Sequence, residues 1–193
     1  DLNEEKLVLM KNYNVNRISM GLQTTNDNLL KEIGRIHSFE EFKKNYNQAR
    51  KAGFENINVD LMFGLPNQHM KDWKASLEDV MSLEPDHISA YSLIIEEGTC
   101  FYNLYNNDKL NIPNEEEERS MYLFTKGFLE DYGYNQYEIS NYAKVNKECF
   151  HNKVYWKCNE YLGLGVSASS FVDEKRFKNI DDIKIYIEKI NNN

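Results

Sequence analysis

Residues 56–66 read NINVDLMFGLP, and this stretch decides the fold class. Its first eight residues are β-branched or apolar almost throughout, which is typical of a strand covered on both faces. The Gly64–Pro66 turn then ends the strand. Asp60 is the exception within it, because an acid between Val59 and Leu61 is costly to bury without a partner.

Further strands and helices are predicted on both sides of this segment. The other strands are predicted at residues 17–23, 87–95, 134–139 and 161–172. Helices are predicted at residues 26–33, 38–52, 72–83, 99–107, 114–132 and 181–190. The first four strands begin at residues 17, 56, 87 and 134, and such spacings are typical of βαβ units. The sequence therefore predicts an α/β fold with a parallel sheet, either doubly wound or part of a barrel, whose functional groups follow the strands' carboxyl ends.

Composition excludes several classes of protein. The 193 residues suit one domain or one domain plus a piece, and the net charge of −8 argues against a nucleic-acid partner. No apolar run approaches the roughly 18 residues of a membrane span, and the acidic N-terminus does not resemble a signal peptide. Three widely spaced cysteines favour neither disulfides nor a metal motif, so a cytoplasmic location is expected.

Three polar residues are candidates for a binding site: one ends the first strand, one lies within the second, and one lies in a turn between helices. Asp60 either accepts hydrogen bonds from a ligand or is a structural acid paired with an arginine or capping a loop. Gln23 either contacts a ligand or is a structural amide at a strand end. Arg35, in the turn after the first predicted helix, either clamps a carboxylate with two hydrogen bonds or is simply solvated.

The segment from Cys149 to Gly165 is the most unusual part of the chain. His151 is followed by Tyr155 and Trp156 in the run HNKVYW. A histidine beside flat aromatic side chains is suited to hold a haem iron as an axial ligand. It is equally compatible with a histidine that is simply part of the core.

Six segments carry a resemblance to a known family. They are VNRISMGLQ (15–23), GRIHSFEE (34–41), GFENINVDLMFGLPNQ (53–68), DHISAYSLIIEEGTCFY (86–102), YGYNQYEISNYA (132–143) and HNKVYW with YLGLG (151–165). In this order and spacing they resemble the oxygen-independent coproporphyrinogen III oxidase family of radical S-adenosylmethionine (SAM) proteins. HNKVYW resembles the His-Asn-x-x-Tyr-Trp haem-binding motif of the family's haem-chaperone branch.

The resemblance implies a parallel-sheet, partial TIM-like (β/α)6 barrel of the radical SAM type, incomplete at the N-terminus. Residues 1–140 would form the later half of the barrel, and residues 141–193 the last strand region with the start of the C-terminal region. The family's Cys-x3-Cys-x2-Cys motif, which binds a [4Fe–4S] cluster, does not occur in this sequence. We therefore expect an internal fragment that holds no cluster ligands and carries out no radical chemistry alone.

The family's SAM contacts map onto Gln23, Arg35, Asp60, the backbone around Ile94 and a position near Ser169. By resemblance, Asp60 holds the ribose hydroxyls and Arg35 serves the methionine carboxylate or nearby polar groups. The haem-chaperone branch usually reads Ala-His-Ser where this chain has Ala168-Ser169-Ser170, so Ser169 departs from the pattern.

The haem-chaperone branch implies haem binding through His151, with Tyr155 and Trp156 beside it, and delivery of haem to an apo-haemoprotein client. The alternative is radical decarboxylation of coproporphyrinogen III to protoporphyrinogen IX in porphyrin biosynthesis, in which SAM supplies a 5′-deoxyadenosyl radical. Either parent protein would require a [4Fe–4S] cluster and an electron donor such as flavodoxin or ferredoxin.

Overall fold

A computed structural model describes residues 2–192, which divide into two compact units between Glu148 and Cys149. The first unit contains α1 (Glu4–Asn12), β1 (Ile18–Gln23), α2 (Asp27–Glu32), α3 (Phe39–Lys51), β2 (Ile57–Phe63), α4 (Met70–Met81), β3 (His87–Ser92), α5 (Cys100–Tyr105), α6 (Glu115–Asp131), β4 (Asn135–Gln136) and β5 (Asn141–Ala143). The second contains α7 (Phe150–Trp156), β6 (Ser169–Val172), β7 (Lys175–Lys178) and α8 (Ile183–Asn191). No helix among these residues is long and apolar enough to cross a membrane.

The sheet of the first unit has the strand order β1-β2-β3-β5-β4. β1, β2 and β3 are parallel, and their register places Ser19 beside Asn58 and Asn58 beside His87. The prediction of an α/β fold with a mainly parallel sheet is therefore confirmed. Each of these strands lies within two or three residues of its predicted bounds, because a continuous apolar run bounded by turn residues is a local signal.

The prediction of a further parallel strand at residues 134–139 was wrong. Instead, β4 and β5 form a short antiparallel hairpin, and β5 joins β3 in antiparallel orientation. The hairpin reverses within residues 137–140, where the Glu138 carboxylate accepts hydrogen bonds from the Ser140 backbone N–H, at 3.0 Å, and from the Asn141 side chain. Because the Glu138 side chain accepts the hydrogen bonds of this turn, the chain can reverse within a few residues. The two strands are therefore antiparallel and need no crossover helix between them.

The predicted fifth strand, 161–172, is also much shorter in the structure. Only Ser169–Val172 is a strand, and it pairs with Lys175–Lys178 in a two-stranded antiparallel sheet. Tyr161 forms an isolated bridge with Phe171, so the chain folds back rather than running straight. A Cβ at Gly163 would overlap the Ser169 carbonyl, and only glycine permits this close approach.

One face of the first sheet packs against helices. Ile57, Val59 and Leu61 alternate along β2 and are fully buried, as are Trp73 and Leu77 of α4. The Trp73 indole N–H donates to Thr125 Oγ1 of α6 at 2.8 Å, and this buried hydrogen bond joins α4 to α6.

Helix α3 begins with the capping box predicted at Ser38. The Glu41 N–H donates to Ser38 Oγ at 3.2 Å, and the Glu41 carboxylate accepts from the Ser38 N–H at 2.8 Å. We expect Ser38→Ala to lower the free energy of unfolding by about 1 kcal/mol, because the first turn loses a cap. Urea unfolding measures this change. Ser38→Asp is the matched control and should retain most of the stability, so equal losses in both variants would contradict the capping role.

Candidate functional site

The opposite face of the first sheet carries a row of polar side chains. Side chains alternate between the faces of a strand, so the positions between the buried hydrophobic residues of β2 and β3 all point away from the helices. The residues of this polar face are Ser19, Asn58, Asp60, His87, Ser89, Tyr91 and Asn141.

Asp60 lies at the centre of this face and is held by neutral donors. Asn58 Nδ2 donates to Asp60 Oδ1 at 2.7 Å, and the Ser19 hydroxyl donates to Oδ2 at 3.1 Å. No arginine or lysine among residues 2–192 forms an ion pair with it. Its neighbour on β1 is Gly21, which has no side chain to cover the carboxylate. Asp60 is therefore an oriented acceptor with lone pairs open to a ligand.

Gln23 ends β1 in an unusual backbone conformation. The register between β1 and β2 shifts between Gly21 and Gln23, and Gln23 has φ +75°, in the left-handed region. Its side chain is nevertheless 3% exposed, and its Oε1 accepts a hydrogen bond from the Tyr91 hydroxyl at 3.0 Å. A non-glycine residue held in this region is strained, and such strain is often found at ligand sites.

Tyr91 donates a hydrogen bond to Gln23 and lies within electrostatic range of Asp60 and Arg35, although the sequence reasoning did not select it. Burial raises the pKa of its phenol, and the negative charge of Asp60 raises it further, whereas the Gln23 hydrogen bond and the Arg35 charge oppose the shift. The alternation along β3 was the available signal, because Tyr91 shares a face with His87 and Ser89. An aromatic residue in a strand is, however, equally typical of a core.

Arg35 and Ile94 lie in the loops that follow α2 and β3. Arg35 is exposed in the turn after α2, where its backbone N–H donates to the Leu30 carbonyl at 2.8 Å. Ile94 is 78% exposed and, with Tyr91, lines a cavity of about 690 Å³. A second cavity, of about 640 Å³, is lined by Ser19 and Gly21. Open space therefore lies beside the polar face on both β1 and β3.

A buried histidine on the same face, His87, lies beside Asn58 in the register between β2 and β3. His87 is fully buried, with its Nδ1 2.6 Å from Asn58 Oδ1 and its Nε2 2.7 Å from the Tyr137 hydroxyl. Burial, aided by the positive charge of Arg17, lowers the pKa of His87 to about 3. The imidazole is therefore neutral at physiological pH.

The HNKVYW run forms α7 in the second unit. His151 is exposed, and its ring meets the Tyr155 ring edge-on, with the centroids 4.7 Å apart. Tyr155 in turn packs against Tyr161 at 4.5 Å. Tyr155 and Trp156 remain 39% and 56% exposed, so an accessible imidazole is surrounded by accessible aromatic faces.

Ser169 also lies in the second unit, on β6, and its side chain is exposed. The neighbouring Ser170 is buried, and its Oγ accepts from the Gly163 N–H at 2.9 Å. The structure thus brings Gln23, Asp60 and Tyr91 together in the first unit, and it places Ser169 and His151 in the second.

The cysteines do not form a metal centre within the described part of the chain. Among the described residues, Cys100, Cys149 and Cys158 form no disulfide bond. Between residues 2 and 192, no three His, Cys, Asp or Glu side chains are grouped so that they could hold a metal ion. These residues therefore do not fit an iron–sulfur cluster.

Comparison with known proteins shows which proteins share this fold. Residues 1–80 match the model of the Radical SAM superfamily. The structure of the coproporphyrinogen III oxidase HemN from Escherichia coli, a radical SAM enzyme, matches the whole chain with a TM-score of 0.80. That match covers 47% of the oxidase at 22% identity, and it shows the shared fold. The first 80 residues are thus similar to the radical SAM superfamily, and the whole chain shares its fold with a member of it.

Within the superfamily, the curated relatives point to one branch. The chain is 43% identical over 98% of its length to the haem chaperone HemW of Bacillus subtilis. It is 38% identical over 97% of its length to HemW of Lactococcus lactis. It covers 50% of each, so it spans about half the length of these relatives. The resemblance to the haem-chaperone branch is confirmed.

The buried imidazole should make stability depend on pH. His87 has a folded pKa of about 3, below the roughly 6.5 of an unfolded histidine, so its contribution is complete above pH 6.5 and is lost as the pH falls towards 3. We expect the free energy of unfolding to decrease, as the pH falls below 6, by up to about 1.4 kcal/mol per pH unit.

Urea unfolding of the protein and of His87→Asn between pH 7.5 and 5 measures this contribution. The other three histidines are common to both proteins, so their titration cancels in the difference. Parallel stability profiles would contradict the assignment, as would an NMR titration of the His87 ring centred near pH 6.5.

Proposed function

We propose that this chain is part of a haem chaperone of the radical SAM superfamily, which binds haem through His151, binds SAM at the polar face of the first unit, and passes haem to an apo-haemoprotein. The observation that carries the proposal is the accessible His151 ring beside Tyr155 and Trp156 on α7. The HemW haem chaperones of Bacillus subtilis and Lactococcus lactis match nearly the whole chain.

The chemistry of α7 suits haem as cargo. A neutral imidazole nitrogen is a good axial ligand for iron, and His151 is exposed enough for a porphyrin to approach. The edge-on contact with Tyr155 restricts the imidazole orientation. Exposed aromatic faces, including that of Trp156, would cover part of the flat apolar macrocycle. Because these rings are accessible, the site suits binding followed by release rather than permanent retention.

The polar face of the first unit fits an adenosyl ligand. Asp60 offers carboxylate lone pairs to the ribose hydroxyls, and its neighbour on β1, Gly21, has no side chain. The Gln23 amide, held by Tyr91, is placed beside it, and Arg35 supplies a positive charge suited to the methionine carboxylate. In this superfamily, bound SAM supplies the precursor of an organic radical.

The remaining parts of the proposed activity lie outside the described residues. The [4Fe–4S] cluster would be bound by residues beyond this chain, because the three cysteines here are not grouped. An electron donor such as flavodoxin or ferredoxin would serve the whole protein. The client would be an apo-haemoprotein that competes for the iron of haem held at His151.

A haem titration followed by Soret absorbance tests the cargo site. We expect saturable haem binding by the protein and at least a tenfold loss of affinity in His151→Ala, because the axial iron bond disappears. His69→Ala is the matched control, since His69 is also an exposed histidine but belongs to the first unit.

Equal binding by His151→Ala would mean non-specific uptake on apolar surface and would contradict the haem site. Turnover of coproporphyrinogen III by the whole protein would instead support the oxidase alternative.

Substitution of Asp60 tests the adenosyl site separately. We expect Asp60→Asn to weaken SAM binding by about tenfold, since a neutral amide is a weaker acceptor for the ribose hydroxyls than a carboxylate. Isothermal titration calorimetry measures the affinity, and Asp79→Asn, on α4, is the control. Haem binding at His151 should be unchanged. Unaltered SAM affinity in Asp60→Asn would contradict the assignment.

A further inference from the structure

The hydrogen bonds around Asn58 can be oriented without ambiguity. Asp60 as a carboxylate can only accept, so the Asn58 atom 2.7 Å from it must be the amide nitrogen, which also donates to Ser19 Oγ at 2.7 Å. Asn58 Oδ1 then points the other way, towards His87. The charge of Asp60 thus identifies which end of the Asn58 amide faces it.

The same reasoning fixes the tautomer of His87. Asn58 Oδ1 can only accept, so the His87 Nδ1 that lies 2.6 Å from it carries the ring hydrogen. A neutral ring has one N–H, and therefore Nε2 accepts from the Tyr137 hydroxyl at 2.7 Å. Donation runs in one direction, from Tyr137 through His87 and Asn58 to Asp60.

We propose that His87 is a positioning residue for ligand binding, which holds Asn58 so that Asp60 presents its open lone pairs to the ribose hydroxyls of an adenosyl ligand. This inference rests on the adenosyl site proposed above. His87 itself lies behind Asn58 in the fully buried part of the face and is not assigned a ligand contact. Its effect is transmitted through Asn58, whose carbonyl oxygen accepts from His87 Nδ1 and, at 3.2 Å, from the Ser89 hydroxyl on the side away from Asp60.

The geometry accounts for why a histidine suits this position. An alcohol there could turn its hydrogen away from Asn58, because a hydroxyl group can donate or accept. A charged imidazole would donate through both nitrogens and would lose the hydrogen bond from Tyr137. The neutral, buried ring is restricted to one donor and one acceptor, and its two partners take complementary roles.

The test compares two substitutions of His87. His87→Asn keeps a donor near the position of Nδ1, whereas His87→Leu removes it at similar volume. We expect His87→Leu to weaken binding of SAM about tenfold and His87→Asn to weaken it no more than about threefold. The 2′-deoxyribose analogue of SAM should lose much less affinity in His87→Leu, because it lacks a hydroxyl from which Asp60 would accept a hydrogen bond.

Thr125→Val is the matched control for the loss of a buried polar group. Thr125 is also fully buried, but it joins α4 to α6 on the helix-covered side of the sheet. We expect this variant to lose stability while keeping its affinity for SAM. Tyr137→Phe is a second, milder variant, which removes only the hydroxyl next to Nε2, and it should reduce affinity for SAM more than for the 2′-deoxy analogue.

Two results would overturn the inference alone. The first is that His87→Leu and Tyr137→Phe bind SAM as tightly as the unsubstituted protein although Asp60→Asn binds it more weakly. The second is that these two variants lose equal affinity for SAM and for the 2′-deoxy analogue. A ¹⁵N spectrum showing the His87 proton on Nε2 would also overturn it. If the unsubstituted protein binds neither compound, the proposed adenosyl site itself fails, which is a distinguishable result.

Discussion

The two-residue period of β2 is the constraint on which the first unit depends. Ile57, Val59 and Leu61 are buried against the helices, and Asn58 and Asp60 therefore lie on the opposite face. A shift of one residue in the pairing with β1 or β3 would bring the carboxylate into the apolar layer and expose the hydrophobic side chains. The register that forms the core is thus also the register that presents the acceptor.

The sequence was informative wherever the cause of structure is local. Parallel strands with apolar runs, and helices with caps such as Ser38, were predictable because their signals lie within a few residues. The β4–β5 hairpin was not, because its direction depends on how the Glu138 carboxylate satisfies the turn. Asp60 was identifiable from the cost of an acid in an apolar strand, whereas Tyr91 was not, since an aromatic side chain there suits a core equally well.

The two candidate sites differ in how they are supported. The acceptor site stands on the central strands of a sheet, and Asn58 and His87 behind it are buried and hydrogen-bonded. The His151 site stands on a seven-residue helix whose rings are held mainly by one another and remain accessible. Rigid support suits recognition of fixed hydroxyl positions, and accessible rings suit a ligand that must leave again.

The left-handed backbone at Gln23 limits how this position can vary during evolution. Glycine would relieve the backbone strain but would remove the amide that Tyr91 contacts. Branched side chains would fit the end of a strand elsewhere but are disfavoured at φ +75°. Selection for folding and selection for the site therefore act on this residue in opposite directions, and few single-residue replacements satisfy both.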